Sequence, residues 1–339
     1  TIVVDKHSKF GQETSSRNSE VIHSGIYYPK DSPKTELCIR GRELLYDYCK
    51  SAHVPYANCG KFVVATQTSE VDFLEKLAAH SQAVGVEHEW STGEAVMKKE
   101  PLIQVTRALY FPRTGIVDSH VFMQTLETEA QRRGCMLAYR HRVKEIVRSG
   151  TGWTVTVDAD GTSLEIETSK VINCAGLGAA ELSNRALGST RYEHRYCRGR
   201  YFVLGSKYVN KFRHLVYPVP QKDGLGVHVT MDLAGFARLG PDVDWANDVS
   251  YADSDKLYEC DWDAVRPQFV TAARRYLPNV SEADLSPGLI GIRPKLFVDG
   301  VARPEFLIED HQGLIQCLGI ESPGLTSALA IAERVHRLV

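Results

Sequence analysis

The sequence contains no CxxC pair and no metal-like clustering of its eight cysteines, Cys38, Cys49, Cys59, Cys135, Cys174, Cys197, Cys260 and Cys317. That scatter excludes a disulfide framework and a zinc knuckle, and it fits reduced thiols in a cytosolic or mitochondrial-matrix protein. Long apolar runs are missing too. Runs such as FVV and LGI are far below the ~20 residues a transmembrane helix needs. Charge of one sign is not in excess: the formal net charge is -2, so neither nucleic acid nor an anionic membrane is expected as partner. No internal repeat, low-complexity segment, signal peptide or transit peptide is visible. What is present is a globular composition. Apolar residues make up 43% of 339, enough for one large domain or two that share an interface.

The opening TIVVDK reads as a buried strand ending in Asp5. In a dinucleotide-binding βαβ unit an acidic residue at the end of the second strand binds the ribose hydroxyls. The G-x-G-x-x-G turn that belongs about 20 residues ahead of it is not in the sequence. Residues 10–31 are dense in small and polar groups, among them Ser16, Arg17, Asn18, His23, Tyr27 and Tyr28, and read as a loop lining something polar. Helical periodicity follows over 33–54, a strand over 60–66, and a helix that starts at Ser69 and ends near Gly85. A strand, a turn at Gly115 and a helix capped by Asp118 or Ser119 come next. The stretch from Met136 to Gly176 reads as a three-stranded meander with a hairpin turn at Asp160–Gly161. Gly176-Leu177-Gly178 superficially resembles a dinucleotide fingerprint, but Glu181 stands at the third glycine position and would face a pyrophosphate. Residues 197–244, with turns at Asp223–Gly224 and near Gly235, predict a mostly antiparallel sheet. A helix is expected over 261–277 and strands over 288–297 and 305–310.

The tail, Leu314 to Val335, is an apolar strand broken at Gly319, a Ser322-Pro323-Gly324 turn, and a helix for which Thr326 and Ser327 can act as caps. A glycine-broken turn into a helix N-terminus offers N–H groups to an anion or an electron-rich ligand.

Six motifs occur in order: SSRNSEVIHSGIYYP (15–29), NCAGL (173–177), RGRYF (198–202), YPVP with GLGVHVT (217–220, 224–230), GIRPKL (291–296) and GIESPGLTSALAIAE (319–333). By these the chain resembles FAD-dependent oxidoreductases of the D-amino-acid oxidase/glycine oxidase superfamily, and within it the branch acting on 2-hydroxy acids. The resemblance implies an α/β (α+β) fold, a Rossmann-like FAD-binding domain interleaved with an antiparallel-sheet substrate domain. It apportions 1–65, 115–185 and 285–339 to the first and 66–114 and 186–284 to the second. The implied reaction is oxidation of L-2-hydroxyglutarate to 2-oxoglutarate, with electrons passed to a quinone or other acceptor, in mitochondria or cytoplasm and possibly at a membrane surface.

Such a reaction requires a base for the hydroxyl proton and a cation for the carboxylates. His228 and His23 are the candidate bases. Arg293 is the candidate carboxylate clamp, with Lys295 for the second carboxylate and Tyr217, Tyr27 and Tyr28 as hydroxyl donors. For the cofactor the resemblance implies Asp5, Ser16, Arg17, Asn18, Ala175 and Gly176, the backbone of Val143 at the adenine, and Arg198-Gly199 at the isoalloxazine edge. Backbone N–H groups of Gly319, Ile320, Gly324, Leu325 and Thr326 would stabilise negative charge at the pyrimidine end of reduced flavin. No metal is expected. Two other readings are an amino acid or amine oxidase on the same scaffold, and a non-catalytic scaffold or assembly protein without FAD.

Overall fold

The structure, a computed structural model, describes residues 1–220 and 226–339. The expected turn at Asp223–Gly224 and the first two residues of GLGVHVT lie outside them. Two layers of organisation are visible. The larger is a ten-stranded sheet whose order runs from Val301–Ala302 through Leu285–Val298, Tyr192–Leu204, Ala237–Gly240, His228–Met231, Leu215–Pro218, Lys61–Ala65 and Arg107–Phe111 to Glu89–Thr92. Asp244–Ala246 pairs to its long third strand. Every pairing is antiparallel except that of Leu215–Pro218 with Lys61–Ala65, as the sequence led us to expect. The largest apolar core packs against this sheet, centred on Phe62, Val64, Leu109, Phe202, Val216 and Phe269.

The Rossmann-like half is built from small parallel pairings. Ile2–Asp5 runs parallel to Met136–Tyr139, and Val171–Asn173 parallel to Leu314–Leu318. The meander forms from His141–Ser149, Gly152–Ala159 and Thr162–Thr168. The stretch Met136–Ser149 is not one strand, however. Arg140 takes a left-handed φ of 59°, and this breaks it into a parallel partner for the first strand and the meander's first strand. Gly115 likewise opens the strand Gly115–Val117 rather than a turn.

Local chemistry sets the helix ends. Ser32 caps Pro33–Ala52 by accepting from the Thr35 N–H, with Pro33 in the first turn. Asp118 rather than Ser119 caps Ser119–Arg132. The C-terminal helix starts at Gly324, with Pro323 at the cap position and no side-chain cap, so the expected capping by Thr326 and Ser327 does not occur. Thr326 lies within the first turn, and its hydroxyl accepts from the His23 N–H at 3.0 Å and donates to the Val21 carbonyl at 3.1 Å.

This helix meets Pro33–Ala52 almost backbone to backbone. A Cβ on Gly41 would lie 2.4 Å from the Thr326 carbonyl oxygen and 2.6 Å from the Ser327 Cα, so neither helix can yield by rotating a side chain. Replacing Gly41 with Ala is expected to cost about 2 kcal/mol through overpacking. Urea unfolding would measure it; an unchanged midpoint would mean the two helices are not in contact at this point.

Candidate active site

Neighbouring strands of the large sheet bring the central groups together. Val216 is paired with Val229, which places Tyr217 beside His228. Their rings stack with centroids 3.6 Å apart and 12° between planes, and both side chains are buried. His23 comes from the other half, just after the short strand Val21–Ile22, and its ring lies near the Ser322 hydroxyl at 3.4 Å. Burial, assisted by the positive charge of Lys61, pulls the His23 pKa down to about 3. Burial also holds His228 well below the usual histidine value, with Lys61, His23 and Arg293 adding to the effect. Both imidazoles are therefore neutral at physiological pH, the state a proton acceptor needs.

Arg293 lies in Leu285–Val298 opposite Cys197. Its Nη2 donates to the Asp242 carbonyl at 2.9 Å, and its Nη1 to the Arg198 carbonyl at 3.4 Å and Cys197 Sγ at 3.2 Å. These acceptors are uncharged, so they orient the guanidinium without neutralising it. Gly199 is required by this arrangement, because a Cβ there would lie 2.4 Å from Arg293 Nη2.

Other expected site residues have different company. Lys295 is not free to meet a substrate carboxylate: its Nζ lies 2.8 Å from Glu321. Arg198 faces the far side, donating to the Glu259 carbonyl at 2.9 Å and pairing with Asp244. The Gly319 N–H is taken by His194 Nε2 at 3.2 Å, while His194 Nδ1 donates to the Leu177 carbonyl at 3.1 Å. Ser16 and Asn18 hold their own loop, donating to the carbonyls of Glu13, Thr14 and Ser15, and Arg17 stacks 4.3 Å over the Tyr258 ring. Val143 packs with Val155 and Val157 in the meander's core. Ile320 packs among Ile308 and Ile331.

Two residues at the centre carried no signal in the sequence reading. Lys61 opens the strand Lys61–Ala65 and is 1% exposed, its Nζ 4.9 Å from the Tyr27 ring centre and 4.7 Å from that of Tyr217. Cys38 donates to the His23 carbonyl at 3.6 Å, and burial pushes its thiol up to about 12. Tyr28 is close enough to Cys38 and Tyr27 to feel both, and its hydroxyl bonds Ser322.

The residues present suit an extended dinucleotide. Asp5 ends its strand with a carboxylate that accepts from the His7 N–H through one oxygen, leaving the other for a ribose hydroxyl. Gly176 has a φ of 55° and open space in front of it, and Ala175 is exposed. The C-terminal helix begins uncapped, and the buried Ser327 Oγ and Gln316 Nε2 have no hydrogen-bond partner, which is unusual for buried polar atoms.

Glu321 fixes the turn before that helix. Its buried carboxylate lies 2.9 Å from Lys34 Nζ as well as on Lys295. Burial works to raise its pKa, but the two ammonium groups outweigh that and hold it below the usual carboxylate range. A depressed carboxyl stabilises the fold above its unfolded value near ~4.3, and the stabilisation is lost as pH falls through the folded value. Glu321→Gln leaves two cations facing a neutral amide and is expected to cost about 3 kcal/mol at pH 7. The difference from wild type should shrink in acid when followed by denaturant unfolding, and a constant difference would remove the ionic explanation.

Comparison with known proteins agrees with this architecture. A family model described as DAO, FAD dependent oxidoreductase, matches residues 1–338. The chain is 38% identical to L-2-hydroxyglutarate dehydrogenase, mitochondrial, of Arabidopsis thaliana, over 98% of this chain and 77% of that one. It is 26% identical to L-2-hydroxyglutarate dehydrogenase of Escherichia coli K12, over 98% and 85%. Among solved structures, L-alpha-glycerophosphate oxidase from Mycoplasma pneumoniae with FAD bound superposes with a TM-score of 0.88 at 24% identity, covering 99% of this chain and 87% of that one. Glycine oxidase from Geobacillus kaustophilus superposes at 0.76 with 18% identity, covering 99% and 88%. The chain belongs to the DAO family of FAD-dependent oxidoreductases.

Proposed function

We propose that this chain oxidises L-2-hydroxyglutarate to 2-oxoglutarate. The observation that carries the reading is a pair of imidazoles held neutral by burial beside the uncompensated guanidinium of Arg293. The names of the Arabidopsis and Escherichia coli relatives support the substrate. FAD, when bound, supplies the acceptor for the hydride that leaves C2 of the hydroxy acid. His228 takes the hydroxyl proton on a ring nitrogen, and Tyr217, stacked on it, fixes the plane of the ring. Arg293 binds a carboxylate through guanidinium N–H groups not used on the backbone. Tyr27 and Tyr28 offer hydroxyls at the mouth. His23, tied to the C-terminal helix through Thr326, would help hold the cofactor together with the N–H groups of Leu325 and Thr326.

The electrons leave to a quinone or similar acceptor. The Arabidopsis, Caenorhabditis elegans and Mus musculus relatives carry mitochondrial in their names, which supports a mitochondrial site for this chain. For the domains, we keep an interleaved cofactor half and substrate half. We assign the strands Lys61–Ala65 and Leu285–Val298 to the substrate half, because both belong to the large sheet.

Anaerobic addition of L-2-hydroxyglutarate to the flavin-containing protein should bleach the flavin absorbance, and amino acids or amines should not. The reverse pattern would move the substrate to an amine, and purification without flavin would favour a non-catalytic scaffold. His228→Asn should lower kcat by about 10²–10⁴-fold, the range for a lost general base, with flavin content unchanged. Because burial favours the neutral imidazole, the acid limb of kcat/KM should fall below the ordinary histidine value of about 6.5. A limb at or above it would exclude His228 as the base.

A further inference from the structure

Lys61 is the first residue of a strand whose other members, Phe62, Val63, Val64 and Ala65, are all fully buried and apolar. Its own side chain is 1% exposed. Among the described residues no carboxylate pairs with Nζ and no acceptor bonds to it. Its surroundings are three rings: Tyr217 at 4.7 Å, Tyr27 at 4.9 Å and Phe111 at 5.6 Å. Cation–π contacts of this kind are each worth roughly 0.5–2 kcal/mol, well short of the several kcal/mol that burying an ion costs. Burial accordingly pulls the Lys61 pKa down to about 7, so its charge is costly until an anion meets it, a feature that a strand built only for stability would replace with a methionine.

Among the described residues, the groups facing Lys61 supply no negative charge to neutralise it. The helix Pro33–Ala52 presents Cys38, a thiol pushed up by burial; the 20s loop presents His23 and Tyr27; the sheet presents Tyr217, His228 and, further along, Arg293. All but Arg293 are neutral near pH 7, and Arg293 is a second cation. The chamber therefore has surplus positive charge and neutral walls. Tyr27 is 40% exposed, the most accessible of the three rings around Nζ.

We propose that Lys61 is a substrate-binding residue, its buried ammonium receiving a carboxylate of the dicarboxylate substrate inside the Tyr27–Phe111–Tyr217 box. This rests on the reading of the chain as an L-2-hydroxyglutarate oxidoreductase and gives it a reason for preferring two carboxylates: Arg293 and Lys61 are separate cations that both act on His228. Among the described residues neither cation is spent on an internal acid, whereas Lys295 and Lys34 both are.

The test uses the flavin-containing full chain, with 2-oxoglutarate as the probe, and compares wild type with Lys61→Met, which keeps the length of the side chain and removes its charge. We expect 2-oxoglutarate, followed by perturbation of the flavin spectrum, to bind the variant about 10–100-fold more weakly, the weight of a hydrogen bond to a charged group. The KM for L-2-hydroxyglutarate should rise in parallel. Flavin content should be unchanged, and the ligand-free Tm equal or higher, since an uncompensated buried charge has been removed. An unchanged dissociation constant would overturn the proposal while leaving the substrate assignment intact. Weaker binding accompanied by a lower ligand-free Tm or lost flavin would overturn it in favour of a structural role. If wild type itself binds no dicarboxylate, the assignment and the proposal fall together.

Discussion

The buried carboxylate of Glu321 between Lys34 and Lys295 is the constraint on which the geometry of the site depends. It joins three segments distant in sequence: the first turn of the helix Pro33–Ala52, the long strand Leu285–Val298 and the turn that launches the C-terminal helix. Removing one member of such a triad leaves a buried charge exposed to its neighbour's absence, which is costly. The position of the helix start, and with it Thr326 against His23, is consequently held by ionic contacts that a low-dielectric interior strengthens.

Around that anchor the polar groups divide into those already spent and those left over. Lys34, Lys295, Arg198 and the Gly319 amide are committed to internal partners. Among the described residues no acid pairs with His23, His228 or Arg293, and the imidazoles are kept uncharged by burial first and by neighbouring cations second. The division matters for chemistry because a base that must be neutral, and a cation that must be unpaired, are both unfavourable in an isolated folded chain. They persist because the surrounding sheet and helices supply the stability that they do not.

Much of this was legible in the sequence. The strand-rich stretch holding YPVP and HVT and its mostly antiparallel sheet followed from the strand and turn pattern, whereas the pairing that puts Tyr217 beside His228 comes from the structure. What the sequence could not display were contacts made by residues far apart. Gly319 sits in a turn well suited to donate its amide to a cofactor, yet His194, some 125 residues away, receives it. Lys295 follows Arg293 at the spacing of a second clamp, but a glutamate from the tail takes it. Lys61 drew no reading beyond its place in the strand over 60–66, and only tertiary packing shows it under three rings. The break of the long 136–149 stretch at Arg140 was hidden for a simpler reason: nothing in a non-glycine residue announces a left-handed conformation.

The hydroxyl of Thr326 reaches His23 across 303 positions of chain, and Gly41 touches the same helix. The chamber therefore has one wall from the beginning of the sequence and one from its end. During synthesis the early wall waits with its apolar lining uncovered until the last helix emerges, because closing so long a loop yields no contact until both ends exist. Half-made chains are on this account the vulnerable form of the protein.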